Sequence, residues 1–323
     1  MSSPTARLIG KRLLTAIPVL WGVTLLTFLV INVMPGDAAQ ALLGADATPQ
    51  QVAEFRAKLD LDEPLVERYV TWVGDVVTGD LGRSIASDQP VTSILRERLP
   101  TTFELLLYAF TLSVGFAVLV ALLAARNPGG IVDRVSMVIS MGGLSMANYV
   151  LALLLILIFA VNLDWLPAIG FVPIGDGLWQ NIRSLTLPAL SIAFPLFCFY
   201  TRLLRADILD QMQGEDYVVT AKAKGVSPWR VLVRHALPNS LFGLLTIVGL
   251  NLGALIGGTV IVEQIFAIPG TGQTLLEAIN NRNVTVIQGV VLVLAVIVVI
   301  ANLIIDLLYV VLDPRIRYER AAS

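Results

Sequence analysis

Six apolar runs separated by polar connections dominate the sequence. A helix needs about 20 apolar residues to cross the hydrocarbon core of a membrane. Runs of about that length occupy approximately residues 13–33, 103–125, 135–161, 185–204, 240–262 and 286–312. The fourth run contains Pro188, Pro195 and Arg202, but neighbouring helices can satisfy the carbonyl groups that a proline leaves free. The pattern predicts an all-α polytopic membrane protein with six transmembrane helices.

Composition and charge agree with a membrane protein and indicate its orientation. The chain is 56% hydrophobic and only 14% charged, outside the usual range of soluble domains. If the N-terminus is cytoplasmic, the cytoplasmic connections carry 14 of the 22 Lys and Arg residues, as the positive-inside rule favours. Both termini are therefore predicted to be cytoplasmic. The net charge of −2 combines an acidic outside with a basic inside, and it implies no nucleic-acid partner.

The runs divide the chain into four parts. Residues 1–34 form an N-terminal segment with the first helix, 35–102 an extracytoplasmic loop, 103–312 a five-helix core, and 313–323 a cytoplasmic tail. The first run is expected to stay as an anchor, because Met34-Pro35-Gly36-Asp37 lacks a small-residue cleavage pattern.

Two short helices are predicted inside the long loop. Thr48-Pro49-Gln50-Gln51 has the form of a capping box, and Val52, Phe55 and Leu59 follow at helical spacing. Pro64 opens the second helix, and Gly79-Asp80-Leu81-Gly82 ends it. Its predicted apolar face consists of Val66, Tyr69, Val70, Val73 and Val77. Both stripes are expected to pack on each other and on the membrane helices.

The cytoplasmic segment 205–239 contains a polar, basic stretch between two apolar runs. Its pattern predicts two short helices joined by a sharp corner. Gly225 is expected to stop the first helix, Ser227 to cap the second and Pro228 to be its first residue. Pro238 is expected to end that second helix near Leu237. An ordinary cytoplasmic loop is the alternative interpretation.

The sequence lacks the common motifs for catalysis and for nucleotide or metal binding. There is no phosphate-binding loop, no dinucleotide fingerprint and no zinc-protease motif. One histidine, His235, and one cysteine, Cys198, cannot form a His/Cys metal cluster within this chain. The chain is therefore not expected to be an enzyme and has no predicted catalytic residue, metal or cofactor. If ATP drives transport through it, the nucleotide binds another subunit.

Several motifs resemble those of one transporter family. Gly225, nine residues and then His235-Ala236-Leu237-Pro238 resemble the EAA signature of permease subunits in binding-protein-dependent ABC importers. The departures, Val219-Thr220-Ala221 and His235, resemble the variant found in dipeptide/oligopeptide/nickel permeases. Further matches, in order, are Met34-Pro35-Gly36-Asp37, Gly79-Asp80-Leu81-Gly82, Gly257-Gly258 through Glu263, Phe266 and Pro269-Gly270, Asp306-Leu307-Leu308-Tyr309, and Leu312-Asp313-Pro314-Arg315. The resemblance covers nearly the whole chain.

The resemblance implies a B-type permease of type I architecture in the bacterial cytoplasmic (inner) membrane. It implies a C-type permease partner, two ABC ATPase subunits that hold ATP and Mg, and an extracytoplasmic substrate-binding protein. Peptide is the implied substrate, and nickel is the alternative. The segment around Gly225 would then couple to the ATPase, through Asp216, Tyr217, Thr220, Ala221, Lys224, Gly225, Ser227, Pro228, Trp229, Arg230, Leu237 and Pro238. For Trp229 the alternative is an interfacial aromatic at headgroup level.

The fifth apolar run contains a second group of candidate functional residues. Gly249, Gly253 and Gly257 recur every fourth residue and share one helix face, which lets another helix approach closely. With Gly258 and the polar Asn251 they predict a translocation path at the interface with the partner permease; close packing inside one bundle is the alternative. In the last run, Asn302 and Asp306 are further polar groups at membrane depth.

Two other classes of protein stay open. A secondary transporter would show inverted repeats, and none is apparent here. A membrane scaffold or channel subunit would not co-purify with an ATPase. Neither explains the spacing from Gly225 to Pro238.

Overall fold

The computed structural model describes residues 4–33, 48–58 and 63–312. In these ranges the chain is helical except for turns, connections and one isolated antiparallel bridge between Arg83 and Pro90. The α-helices are α1 (Pro4–Val33), α2 (Pro49–Lys58), α3 (Leu65–Thr78), α4 (Val91–Arg126), α5 (Ile131–Leu144), α6 (Asn148–Leu155), α7 (Leu178–Gly214), α8 (Asp216–Ala223), α9 (Pro228–Val231), α10 (Leu237–Ile265), α11 (Thr271–Asn280) and α12 (Val284–Leu312). A π-helical stretch, Ile156–Asn162, follows α6, another, Leu232–Ala236, joins α9 to α10, and Ile174–Asp176 is a 3-10 turn.

Among the described residues, four helices are long and apolar enough to cross a membrane. They are α4, α7, the continuous helix Pro228–Ile265 and the Val284–Leu308 part of α12. The predicted second, fourth, fifth and sixth runs fall on these helices. The first run falls on α1, whose apolar stretch Leu14–Val30 is shorter than the other four.

The third predicted span is not one continuous helix. It is broken between Leu144 and Asn148, and the two halves meet at an angle of 110°. Gly142 and Gly143 precede the break and Ser145 lies in it, and all three form helices less readily than alanine. Gly143 also approaches α7 so closely that a Cβ atom there would lie 2.4 Å from the Cys198 sulfur. Weak helix propensity and this close approach together account for a bend that hydrophobicity alone does not indicate.

The chain divides into two compact units. The first contains Met1–Thr102 and Pro269–Ile300, and the second contains Phe103–Ile268 and Ala301–Ser323. In the second unit α7 packs against α5, α6 and α10. One buried cluster includes Leu105, Leu187, Ile192 and Phe266, and another includes Tyr200, Leu204, Ile208 and Leu244.

The broken pair α5 and α6 joins opposite ends of the second unit. In the first turn of α5, Asp133 is bound by Arg205 of α7. After α6 and its π-helical extension, the Trp165 carbonyl accepts a 2.7 Å hydrogen bond from Arg183 near the other end of α7. Arg183 and Arg205 are 22 residues apart, or about 33 Å along a helix. The pair therefore connects the two ends of the unit, as one broken span would, and with it the described residues contain up to five segments long and apolar enough to cross a membrane.

In the first unit, α4 and α12 pack through Val91, Leu95, Val286 and Val290, together with Ala278 of α11. Thr102 and Thr271 share a buried hydrogen bond of 3.0 Å between their hydroxyl groups. The loop 80–90 is fastened to this core, because Asn283 donates to the Ser84 hydroxyl at 2.8 Å and accepts from the Ile85 amide at 3.3 Å.

The predicted starts and ends of the loop helices are confirmed, but the packing predicted for α3 is wrong in part. The Thr48 amide donates to the Gln51 side chain at 2.9 Å and the Gln51 amide to the Thr48 hydroxyl at 3.3 Å, as a capping box requires. Helix α3 ends at Gly79 in a left-handed conformation. Its Val66, Val70 and Val77 are, however, 75%, 64% and 81% exposed, because the face that packs is centred on Tyr69 and Trp72. The MPGD motif, Leu59 and the Asp313-Pro314-Arg315 end of the last motif lie outside the described residues.

Candidate functional site: the corner segment

The predicted corner exists. We define the corner segment as residues 215–239. Helix α7 ends at Gly214, Glu215 is extended, α8 runs over Asp216–Ala223, and Gly225 turns the chain with φ of +76°. A Cβ atom at Gly225 would meet nothing within 4 Å. The backbone conformation, rather than a lack of space, is therefore what favours glycine here.

Ser227 and Pro228 begin the second helix, as predicted, but without the expected side-chain cap. Ser227 has the extended backbone of an N-cap, and Pro228 occupies the first turn. The Ser227 side chain makes no capping hydrogen bond. The Ser227 carbonyl does accept the Val231 amide at 3.0 Å, so the start of the helix relies on its backbone and on Pro228.

The prediction that Pro238 ends this helix is wrong. Proline lacks an N–H group and its ring collides with the carbonyl four residues earlier in a regular α-helix. The π-helical stretch Leu232–Ala236 directly precedes this point, and such a wider turn accommodates the proline. The helix therefore continues from Pro228 to Ile265 over 38 residues, and α9 is the end of a membrane helix rather than a separate short helix.

A small apolar cluster holds the corner together. Val218, Ala221 and Val231 are buried, with Met212 and Val226 packed around them. Among the predicted coupling residues, Ala221 thus belongs to the interior and has little surface for a partner. Sequence reasoning did not distinguish it from its exposed neighbours.

Tyr217 links the helices on either side of the corner. Its hydroxyl donates to the Gln211 side chain of α7 and accepts from Asn239 of α10 at 2.9 Å. Its ring also lies 6.4 Å from that of His235. Tyr217 therefore fixes the geometry of the corner from within, and its side chain is only partly exposed.

The outer surface of the corner contains most of the predicted residues. Nine are exposed: Asp216, Thr220, Lys224, Gly225, Ser227, Pro228, Trp229, Arg230 and Pro238; Leu237 is half-buried against the second unit's core. Val233 and Arg234 are also exposed, and the sequence analysis omitted them. They follow Arg230 at the i+3 and i+4 spacing that places them on its helix face, a signal that the predicted helix from Pro228 to about Leu237 already contained.

Arg126 reaches the corner from the end of α4. Its guanidinium carbon lies 5.5 Å from the centre of the Trp229 ring, within the range of a cation–π interaction. Trp229 is still 44% exposed. The contact therefore orients the indole and leaves much of it available. No local pattern links these two residues, which are about a hundred positions apart.

A second contact fastens the same end of the unit. The Arg205 guanidinium donates two hydrogen bonds to the Asp133 carboxylate, one of them at 2.7 Å from Nη2 to Oδ2. The Gly129 amide donates to the same carboxylate at 2.8 Å. The loop between α4 and α5 is thereby held against α7, near the helix end from which the corner begins.

The glycines of the fifth run separate into two groups. A Cβ atom at Gly249 would lie 3.1 Å from Ile305, and one at Gly258 would lie 2.9 Å from Asn148, so both are places of close contact within the chain. Gly253 and Gly257 are exposed and have no such neighbour within 4 Å. Close packing within the chain, the alternative interpretation, is thus present at Gly249 and Gly258.

The polar groups of these runs lie on α10 and α12. The Asn251 amide donates to the Ile247 carbonyl of its own helix at 2.8 Å. Asn302 and Asp306 are half-buried on α12.

Long apolar helices joined by short connections, with a folded basic corner at one end, define a multi-pass membrane protein. The chain belongs to the family of binding-protein-dependent transport system inner membrane components, whose model matches residues 117–318; the N-terminal model for the same class of protein matches residues 5–106.

Relatives align over nearly the whole chain. A putative peptide transport system permease protein of Brucella abortus is 39% identical over 97% of this chain and 99% of its own length. The dipeptide transport system permease protein DppB of Alkalihalophilus pseudofirmus is 38% identical over 95% of this chain and 98% of its own length. The glutathione transport system permease protein GsiC of Escherichia coli is 36% identical over 96% of this chain and 98% of its own length.

Proposed function

We propose that this protein is a membrane permease of an ATP-driven importer that takes up dipeptides or oligopeptides delivered by an extracytoplasmic binding protein. It has six crossings and cytoplasmic termini, with an extracytoplasmic loop over residues 35–102. A C-type permease completes the translocation path, and two ATPase subunits hold ATP and Mg. This chain contributes no catalytic group, and its task is to change conformation when the ATPases do.

The corner segment is the observation that carries the proposal. ATP hydrolysis in separate subunits moves the spans only through a physical contact. The surface formed by Ser227, Pro228, Trp229 and Arg230 is exposed, yet its backbone is fixed by the buried cluster beneath it. Because α9 continues into α10 without a break, a displacement of the corner moves a membrane helix directly. A flexible loop would absorb the same displacement.

The chemistry of the exposed surface fits a protein cleft. An orientated, partly exposed tryptophan with arginines around it has the composition of an interface anchor, since Trp and Arg dominate binding energy at protein interfaces. Lys224, Arg230 and Arg234 give the surface a positive charge. We therefore expect an apolar pocket with acidic residues at its rim on the ATPase.

The ends of the second unit support the proposed orientation. The loop 127–130 lies at the same end as the corner, through Arg126 and Asp133. The connection after α6 lies at the opposite end with the turn after α10, since the Gly170 amide donates to the Phe266 carbonyl at 3.0 Å. Successive connections thus lie at alternate ends of the unit, as a chain with six crossings requires. The basic corner falls on the side that the positive-inside rule makes cytoplasmic.

The outward face of α10 fits the second permease. A Cβ atom at Gly253 or Gly257 would meet no described residue within 4 Å, and small residues allow two membrane helices to approach closely. We place the contact with the C-type permease along this face, with the translocation path beside it. Gly249, Asn251 and Gly258 then support α10 from within the chain.

The peptide substrate follows from the relatives. Two of the three named above are permeases of peptide or dipeptide systems, and the third belongs to a system for glutathione, which is itself a small peptide. Uptake of labelled dipeptides and tripeptides by the assembled complex, with unlabelled peptides and nickel as competitors, tests this part. Competition by nickel alone would contradict it.

The coupling role is tested with Gly225→Val and Trp229→Ala in the assembled complex. A β-branched residue resists the positive φ of Gly225, and removal of the indole empties the proposed pocket. We expect normal membrane abundance, loss of the ATPase stimulation by loaded binding protein, and a matching fall in uptake. Full stimulation and uptake in both variants would exclude the corner segment as the coupling element.

Matched controls separate coupling from general damage. Gly225→Asn fills the same open space, but asparagine tolerates a left-handed backbone, so stimulation should be largely retained. Trp179 is 71% exposed and lies at the start of α7, the end of the unit opposite to the corner. Trp179→Ala removes the same side chain there and should leave stimulation intact.

A further inference from the structure

Helix α3 carries an apolar surface that stays exposed beside the other described residues of the chain. Val66, Val70 and Val77 lie on one face of this helix and are 75%, 64% and 81% exposed. The polar residues Glu67, Thr71, Asp75 and Thr78 are exposed on the other side. An isolated exposed valine is unremarkable in any protein, but a stripe of three beside a packed aromatic face requires an apolar environment.

Contacts to α1 place this helix at membrane depth. The Tyr69 hydroxyl shares a hydrogen bond of 3.0 Å with the Thr24 hydroxyl, and its ring meets that of Phe28 edge-on at 5.3 Å. Between Arg12 and Asp37 the sequence has no charged residue, and Thr24 stands near the middle of this stretch. Phe28 is five residues before the end of α1, about 7.5 Å along the helix axis.

The two hydroxyl groups at this contact satisfy each other, whereas the buried Trp72 Nε1 has no hydrogen-bond partner among the described residues. The Thr24 hydroxyl donates to the Trp21 carbonyl at 2.8 Å and pairs with Tyr69. The Arg68 guanidinium carbon lies 5.9 Å from the centre of the Phe28 ring. Hydroxyl pairs of this kind are typical of helix contacts within a bilayer.

The length of α3 limits what it can do there. Its 14 residues extend about 21 Å, less than the hydrocarbon core of about 30 Å, so the helix does not cross the membrane. A helix with one apolar and one polar face instead lies in the plane of the interface, with its apolar face in the acyl chains.

We propose that α3 is an interfacial helix embedded in the outer leaflet, and that acyl chains cover Val66, Val70 and Val77. On α1, Leu26 and Val30 are 64% and 61% exposed and lie on the face of the helix turned away from Thr24 and Phe28, where a spanning α1 would meet the acyl chains. This inference rests on the proposed function in one respect, the assignment of α1 as a span with its C-terminal end outside. It changes the picture of residues 35–102, because part of this segment is then membrane and not aqueous loop.

Spin-label accessibility tests the proposal. The full chain, assembled with its partner subunits in phosphatidylethanolamine and phosphatidylglycerol vesicles, carries single nitroxides in a Cys198→Ser background. Labels at Val66, Val70 and Val77 are compared with polar-face labels at Thr71 and Thr78 and with span labels at Leu26 and Val30. We expect the valine sites to match the span sites, with a several-fold higher ratio of collisions with oxygen to collisions with a water-soluble nickel chelate than at Thr71 and Thr78.

Each other outcome overturns the proposal in a recognisable way. If the valine labels meet the nickel chelate freely while the Leu26 and Val30 labels report lipid, α3 is in water and the proposed function stands. If the valine labels are shielded from both reagents, a protein subunit covers the stripe instead of lipid. If Leu26 and Val30 themselves meet the chelate, α1 is not a span, and the topology within the proposed function fails together with this inference.

Discussion

Single side chains join distant parts of the second unit at the corner end. Arg126 orients Trp229 through a cation–π contact, and Arg205 binds Asp133 through two hydrogen bonds. The first is exposed and worth about 0.5–1 kcal/mol. The second involves an aspartate side chain that is 5% exposed and an arginine side chain that is 21% exposed. The ion pair is therefore the stronger determinant of how the α4–α5 loop sits on α7.

Removal of one partner of this ion pair should destabilise the protein strongly. Asp133→Ala leaves a partly buried guanidinium without its carboxylate, and breaking a buried pair in this way costs about 3–5 kcal/mol. We expect a clear fall in the melting temperature of the purified protein. The double variant Asp133→Leu, Arg205→Met removes both charges and should recover part of the loss. Equal stability of Asp133→Ala and the unmodified protein would show that the pair contributes little.

At the scale of elements, α10 has two different surfaces. Its Gly249 side packs on Ile305 of α12 within the chain, whereas Gly253 and Gly257 point away from every described neighbour. The same residue type therefore has two roles along one helix. A bulky substitution should have different consequences at the two places, which makes them distinguishable.

Leucine at Gly253 or Gly257 should block assembly and leave the chain itself folded. A large side chain would hold the partner helix away, so we expect loss of co-purification with the second permease at a normal melting temperature of the isolated chain. Gly249→Leu should instead destabilise the chain, by about 1–3 kcal/mol for overpacking. Gly115 of α4 is exposed with nothing within 4 Å, and Gly115→Leu is the matched control. Unchanged assembly in both outward-facing variants would mean that this face contacts lipid.

At the scale of the whole molecule, the proposed function depends on which side of the membrane each end occupies. Single cysteines at Ser87 and Ser227 test this in a Cys198→Ser background, because both serines are exposed and Ser→Cys changes one atom. We expect an impermeant thiol reagent to label position 87 in intact cells and to reach position 227 only after the membrane is opened. The reverse pattern would invert the topology and remove the corner from the ATPase side.

The sequence by itself determined the features that depend on neighbouring residues. Apolar runs of sufficient length located the helices, the Thr48–Gln51 pattern gave the start of α2, and Gly225 followed by Ser227 and Pro228 gave the corner. Hydrophobicity, capping and backbone preference act over a few residues, so they can be recognised in a linear pattern. The motifs around Gly225 also indicated the family.

Only the tertiary structure decided the features that depend on residues far apart in the chain. Packing of Gly143 on Cys198 accompanies the break in the third span, and a π-helical stretch carries the helix through Pro238. Ala221 is buried in the apolar cluster of the corner, and Arg126 orients Trp229. Gly249 faces inward because α12 packs beside it through Ile305. Apart from the π-helical stretch, each depends on which segment becomes a neighbour, and that choice is made by the summed packing of the helices and not by any single local pattern.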